Sequence, residues 1–166
     1  MSQDLTYRAA TEEDLPKILE LAVELVTTSR SLHRTEIGDE EIRGFRRQNF
    51  GHLASVFSIP EAGLFVANNK VGEHIGHVLT IGNQNDALNE IPQAWVCDVS
   101  VRRDWWGKGV GRKLMACAEE FAQGLGLEYI GLGVTESNER AVGFYRDLGY
   151  EIERVQMVKK LEPCPE

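Results

Sequence analysis

Apolar residues recur along this chain with two alternating periods, one belonging to strands and one to helices. Leu5 to Ala10 reads as a first strand, and Thr11-Glu12-Glu13-Asp14-Leu15-Pro16 then supplies cap-type residues for a helix. Leu15, Ile18, Leu21, Ala22 and Leu25 return at steps of three and four, which marks one buried helical face. A second helix is expected over Asp39 to Ser55. Strands at 63–68 and 74–82 follow, joined by the turn Asn68-Asn69-Lys70, and the polar stretch 83–91 reads as a loop. Gln93 to Val101 is the next strand. Val110, Leu114, Cys117, Phe121 and Leu125 form a helical stripe stopped by Gly124 and Gly126. Tyr129 to Val134 reads as a strand, and Ala141, Phe144, Tyr145 and Leu148 as a helix face that ends at Gly149. A last strand is expected from Tyr150 to Lys160, before a proline-containing tail. Strands and helices alternate without a linker or repeat, so the chain reads as one α+β domain over 1–162 with a tail at 163–166.

The junction between the strand ending at Val101 and the helix opening at Val110 carries the sharpest chemistry. Residues 102–113 hold five Lys/Arg (Arg102, Arg103, Lys108, Arg112, Lys113) against Asp104 alone, in a chain of net charge −8. Gly107, Gly109 and Gly111 let main-chain N–H groups approach a ligand closely. The first N–H groups of a helix lack internal partners and favour negative charge, so a phosphate or pyrophosphate fits there, and Arg112 and Lys113 add ionic hydrogen bonds. The bland reading is a solvated glycine turn. The spacing matches neither a P-loop, because no Ser or Thr follows Lys108 or Lys113, nor the dinucleotide fingerprint, because Gly109-Val110-Gly111-Arg112-Lys113-Leu114 ends in leucine.

Composition narrows the classes further. At 166 residues, with 42% hydrophobic and 27% charged residues, the chain has the make-up of an ordinary globular domain. Its acidity argues against nucleic-acid partners and fits cationic or amine substrates. A polar N-terminus without a signal-peptide pattern, and no apolar run of membrane-spanning length, lead to the expectation of a cytoplasmic protein with no membrane partner. Cys97, Cys117 and Cys164 are odd in number and lack C-x-x-C spacing, which speaks against a disulfide framework and a zinc site; Cys97 and Cys117 read as small core residues.

The glycine turn preceded by Val99-Ser100-Val101, the later run Asn138-Glu139-Arg140-Ala141-Val142-Gly143-Phe144-Tyr145-Arg146-Asp147-Leu148-Gly149-Tyr150, and the opening at residues 7–15 together resemble the GNAT superfamily of acetyl-CoA-dependent N-acetyltransferases. The first motif is written [QR]-x-x-G-x-[GA] in that family, and the second resembles N-x-x-A-x-x-F-Y-x-x-x-G-[FY]. The resemblance implies a mixed, mostly antiparallel sheet splayed between strands 4 and 5 and flanked by about four helices. It implies acetyl-CoA as co-substrate, no metal, and transfer of acetyl to a primary amine by direct attack in a ternary complex. Val99, Ser100 and Val101 would then offer strand-edge groups to the pantetheine arm. Gly107, Lys108, Gly109, Val110, Gly111 and Arg112 would wrap the pyrophosphate. Asn138 would hydrogen-bond the arm, beside Ala141 and Phe144, and Tyr145 would serve as general acid near the sulfur. Dimerisation is common among similar proteins, so a homodimer belongs to the same expectation.

Chemistry explains these demands. The thioester oxygen gains negative charge as the amine attacks, and fixed N–H groups stabilise it better than mobile water. A phenol can share its proton with the leaving thiolate, and an alkyl ammonium of pKa about 10.4 must lose a proton before it reacts. Here the chain departs from its relatives: Gly133 stands where one branch carries a glutamate, Cys97-Asp98 where another carries paired acids, and Trp106 where the glycine motif opens with Arg or Gln. Asp98 is the candidate base acting through water, with His77 and His74 as alternatives; a strand carboxylate that merely pairs with an arginine is the plain alternative. Tyr145 likewise falls on an apolar stripe and reads equally as core. Trp105 and Trp106 read as packing residues. If Gly133 and Cys97 record a lost base, the chain is a non-catalytic acyl-CoA-binding regulatory module; a nucleotide-binding structural module is a third reading.

Residues Ser29 to Ser58 and the 83–91 loop are the expected acceptor-side walls. Glu36, Asp39, Glu40, Asp86 and Glu90 make them acidic, which suits a polyamine, a lysine or a peptide N-terminus, and equally describes solvated surface charge.

Overall fold

In the computed structural model, which describes residues 4–162, five strands lie across one sheet in chain order: β1 (Leu5–Ala9), β2 (Ala62–Asn69), β3 (His74–Asn85), β4 (Pro92–Val101) and β5 (Ile130–Leu132). Successive pairs from β1 to β4 are antiparallel, whereas β4 and β5 run parallel. Four α-helices flank them: α1 (Leu15–Leu25), α2 (Asp39–Asn49), α3 (Val110–Gly124) and α4 (Glu139–Asp147). This is the expected mixed α+β arrangement. The parallel pairing is short, covering only Ala94↔Ile130, Trp95↔Gly131 and Val96↔Leu132, so the remainder of β4 runs on without a neighbour on that side.

Two apolar layers hold the sheet. On one side Val110, Leu114, Met115 and Ala118 of α3 pack with Ala67, Ile75, Val78 and Val96. On the other, Ile18 of α1 meets Leu53, Val56, Leu64, Val66 and Leu79. Full burial of a side chain such as Ile18 or Leu114 contributes about 1.5–3 kcal/mol each. Asp14, at the α1 entry, accepts from the Thr11 N–H and hydroxyl and takes both Arg8 guanidinium nitrogens at 2.7 and 2.8 Å, which ties β1 to the helix start.

Several boundaries differ from the sequence-based expectation. The helix expected over Asp39 to Ser55 ends at Asn49 and gives way to a 3₁₀ segment, Phe50–Ser58. Leu53 and Val56 are buried there with Phe50 packed beside them, and this strict three-residue spacing matches the tighter helix better than 3.6 residues per turn. Residues 83–85, expected in a loop, extend β3: after an irregularity at Ile81/Gln84, where Asn83 takes φ 56°, Gln84 and Asn85 pair with Gln93 and Pro92. Polar side chains hid a ladder that needs only backbone. Cys97 is exposed rather than core, while Cys117 is half-buried; Cys164 lies outside the described residues, as does the tail 163–166.

The strand expected from Tyr150 to Lys160 does not form. Residues 151–162 carry no ladder, and Ile152, Val155, Met157 and Leu161 are exposed. Their spacing does not hold a period of two, and three-residue β5 offers few rungs to pair with. Ion pairs anchor the segment instead, Arg154 to Asp86 at 2.6 Å and Lys160 to Glu36.

Gly76 of β3 sits opposite Val101, and a Cβ there would come within 2.7 Å of the Ser100 carbonyl oxygen. Backbone cannot yield as a side-chain tip can. Gly76→Ala is expected to lower stability by about 1–3 kcal/mol in urea unfolding, as overpacking does; an unchanged midpoint would contradict this account of the β3–β4 contact.

Candidate active site

β4 changes face in mid-strand. Leu79 pairs with Asp98 but Thr80 with Val96, so Cys97 is an extra residue on the β4 side, a bulge. Val96 before it and Val99 and Val101 after it all pack toward the α3 layer. That odd spacing is possible only because the bulge resets the alternation, and it turns Asp98 and Ser100 toward α1 and α2. The bulge begins where pairing with β5 stops. Past it, β4 and β5 part around a cleft of about 920 Å³.

The loop after β4 wraps one side of this cleft. Gly107 and Gly109 take φ 73° and 81°, and nothing lies within 4 Å of the Cβ positions they lack. Gly109 caps α3, and the first helical acceptor bond is Lys113 N–H to Gly109 O, so the amides of Val110, Gly111 and Arg112 have no partner in the helix. A Cβ on Gly111 would lie 3.1 Å from the Phe144 ring, so this glycine lets α4 close on the start of α3. Three unpaired amides, positive helix-end charge and open space fit a diphosphate.

Of the predicted coenzyme contacts, Val99, Ser100, Val101, Gly107, Gly109, Val110, Gly111, Arg112, Asn138, Ala141, Phe144 and Tyr145 all line the cleft. Lys108 does not: its ammonium lies 5.0 Å from the Trp105 ring centre. Two predicted groups already have protein partners. Trp106 Nε1–H donates to the Val101 carbonyl at 2.6 Å, and the Asn138 side-chain oxygen caps α4 by accepting from the Ala141 N–H at 3.3 Å.

Asp98 also lines the cleft and heads a buried polar chain. His77 Nε2–H donates to its Oδ2 at 2.8 Å, Ser100 Oγ–H to the same oxygen at 3.1 Å, and Arg46 Nη2–H to Oδ1 at 3.1 Å. His77 Nδ1 in turn lies 3.1 Å from His74 Nε2, and the two rings stack. His74 Nδ1 is buried and has no partner among the described residues. Burial works to raise the Asp98 carboxyl, but the His77 hydrogen bond and charge, then Arg46 and Ser100, outweigh it and hold the group below its ordinary range. Burial, then the His77 charge, pulls His74 down to about 4. Neither histidine lines the cleft, so the alternatives to Asp98 sit behind it.

Tyr145 is packed between Phe144 and Tyr150, with ring centres 5.2 and 5.9 Å away. Burial, then the Asp98 charge, pushes its phenol up to about 12, so it stays protonated at neutral pH. Arg46, Thr135 and Arg140 line the cleft but carried no signal read from the sequence. Thr135 Oγ1–H donates to the Ser29 carbonyl at 2.7 Å and so ties the approach to α4 to the end of the α1 region. The acids expected to mark the acceptor side are largely spent inside the chain: Glu36 pairs with Lys160, Asp39 with Arg30, Glu40 with Arg43 and Asp86 with Arg154.

A mixed sheet parted between parallel β4 and β5, with a glycine loop feeding the helix beside the gap, defines the GNAT class of fold. The acetyltransferase (GNAT) family model matches residues 19–150, and the chain belongs to this family. It is 35% identical over 106 residues to the peptidyl-lysine N-acetyltransferase YjaB of Salmonella typhimurium, covering 64% of this chain and 61% of that protein. The chain thus spans about three fifths of that curated relative. Mouse thialysine N-epsilon-acetyltransferase is 27% identical over 146 residues, 86% of this chain and 81% of that protein. A solved structure from Pyrococcus furiosus superposes with TM-score 0.79 at 29% identity, covering 95% of this chain and 100% of that one. Among the described residues, no helix is long and apolar enough to cross a membrane.

The buried chain makes stability depend on pH. His74 binds its proton less readily folded, at about 4, than unfolded, near 6.5, so the unfolded state takes up more protons between these values. Stability is complete above pH 6.5 and falls as the pH drops toward 4, by up to about 3 kcal/mol. Urea unfolding across this range should show that slope in the wild type and a flatter one in His74→Gln; parallel slopes would rule out His74 as its source.

Proposed function

We propose that this protein is an N-acetyltransferase that moves acetyl from acetyl-CoA to a primary amine by direct attack in a ternary complex. The observation that carries this reading is the single cleft of about 920 Å³ in which the Val99–Val101 edge, the amides at the start of α3, Asn138 and Tyr145 all meet. The resemblance to YjaB and to thialysine acetyltransferase supports a primary amine, since both names specify the amine of a lysine-like side chain.

In this reading the diphosphate rests on the amides of Val110, Gly111 and Arg112, with Gly107 and Gly109 shaping the loop and Lys108 contributing charge at longer range. The pantetheine arm runs along Val99 and Ser100 between the walls formed by Ala141 and Phe144. Asn138 keeps its amide N–H groups for the arm because only its oxygen is spent on the helix cap. N–H groups on the free β4 edge face the thioester oxygen as charge builds on it. Tyr145, protonated at neutral pH, donates a hydrogen bond to the departing sulfur and shares its proton as negative charge builds there, the thiolate taking its final proton from water.

Asp98 receives a narrower part than that of an equilibrium base. Even at its ordinary pKa, taking a proton from an alkyl ammonium would be uphill by about six pKa units, roughly 9 kcal/mol, and its partners lower its pKa further. Asp98 instead draws the acceptor's ammonium to the thioester and orients it, while water carries the proton away.

Purified protein given acetyl-CoA and a panel of polyamines, lysine and peptide N-termini should release thiol with at least one acceptor. Tyr145→Phe is expected to lower kcat about a hundredfold while changing the KM for acetyl-CoA little. Wild-type protein that binds acetyl-CoA but releases no thiol with any amine would overturn the enzymatic reading in favour of a binding module.

A further inference from the structure

Trp106 stands where the family's glycine motif opens with Arg or Gln, and the structure gives its indole a task that packing does not explain. The ring is fixed by the bond from Nε1–H to the Val101 carbonyl at 2.6 Å. Two guanidinium groups gather on it: Arg140 Cζ lies 3.2 Å from the ring centre and Arg103 Cζ 5.2 Å. Among the described residues, neither arginine has a carboxylate within 4.0 Å, although nearby Arg102 is paired with Asp104 and Glu73. Burial and then the Arg103 charge both work against the charge on Arg140, so the two cations share one ring at an electrostatic cost. An anion placed between them would remove that cost.

Arg140 lines the cleft beside Gly107 to Arg112, whereas Arg103 borders a separate cavity of about 730 Å³ between α1 and the β2–β3 turn. The amides at the α3 start already serve the diphosphate in the proposed function. Coenzyme A carries one further anionic group, the phosphate monoester on its ribose 3′ oxygen, and it is at the end of the molecule away from the sulfur. Resting on the coenzyme reading above, we propose that Arg140, held on Trp106 and supported by the charge of Arg103, is the site that recognises this 3′-phosphate. The pair thereby selects coenzyme A over its dephosphorylated form and over other acyl thioesters that lack the group.

The test is titration calorimetry of the intact protein with acetyl-CoA and with acetyl-3′-dephospho-CoA. Wild-type protein should bind the dephospho compound at least tenfold more weakly. Arg140→Ala should bind acetyl-CoA about as weakly as wild type binds the dephospho compound, with affinity for the latter unchanged; Arg103→Ala should fall between. Both side chains are exposed, and thermal melting of each variant checks that it folds. Equal wild-type affinity for the two ligands, or an Arg140→Ala variant that weakens both alike, overturns this assignment and leaves the coenzyme reading standing. Binding of neither ligand to the wild type overturns both.

Discussion

The parting of β4 from β5 is the constraint on which the rest of this structure depends. Three parallel rungs hold the strands together, and then the extra residue at Cys97 resets the pleat. Had β4 kept its alternation, Asp98 would share the face of Val96 and meet the α3 core, where a carboxylate has no partner. With the bulge, Val99 and Val101 stay in that core, Asp98 and Ser100 turn to the other face, and the β4 edge toward β5 is freed. One inserted residue therefore sets which face carries Asp98 and Ser100, at the point where the β4 edge is freed from β5. Gly131, at the middle of the three rungs, leaves room for the Trp95 ring, which a Cβ there would approach to 2.8 Å.

The polar chain behind Asp98 shows what this geometry costs. A carboxylate, a hydroxyl and two imidazoles are buried between α1 and the sheet, where unpaired polar groups are expensive. Nearly every polar atom in the chain has a partner. Among the described residues the exceptions are His74 Nδ1 and Arg46 Nε, and the low pKa of the His74 ring lets it remain neutral there. Arg46 reaches Asp98 from α2, a helix that, like α4 on the opposite wall of the cleft, has no fully buried residue.

Most of the glycine-loop side of the cleft was legible in the chain because it is shaped by backbone, and backbone requirements write themselves as glycine, cap and spacing. Gly107, Gly109 and Gly111, and the run from Asn138 to Tyr145, are of this kind. Lys108 belongs to the same motif run, but its side chain lies against the Trp105 ring instead of lining the cleft, which the motif spacing alone does not foretell. Arg46 and Arg140 left no trace because each is one basic residue on an exposed helix, and only folding brings it to Asp98 or Trp106. The C-terminal strand failed for a different reason: Ile152, Val155 and Met157 have strand propensity, but a strand needs an edge long enough to receive it. Phe50, Leu53 and Val56 did carry their answer in a spacing of three, which the longer helical pattern before them obscured.

Charge gives the two sides of the cleft opposite preferences despite a net charge of −8. Beyond a Debye length of about 10 Å, the overall charge is screened, so each substrate meets only the local field. In the proposed function an anionic coenzyme meets the positive loop and the arginines around Trp106, and a cationic amine meets Asp98, because most acids of the surrounding loops pair with Arg30, Arg43, Arg154 and Lys160. Arg46 already donates to Asp98 Oδ1 at 3.1 Å, so in the proposed function an ammonium meets a carboxylate that has a cationic partner rather than a free charge. Acetylation converts that ammonium into a neutral amide. On the proposed chemistry, the charge that draws the acceptor toward Asp98 is thus lost by the reaction itself, which favours release of the product.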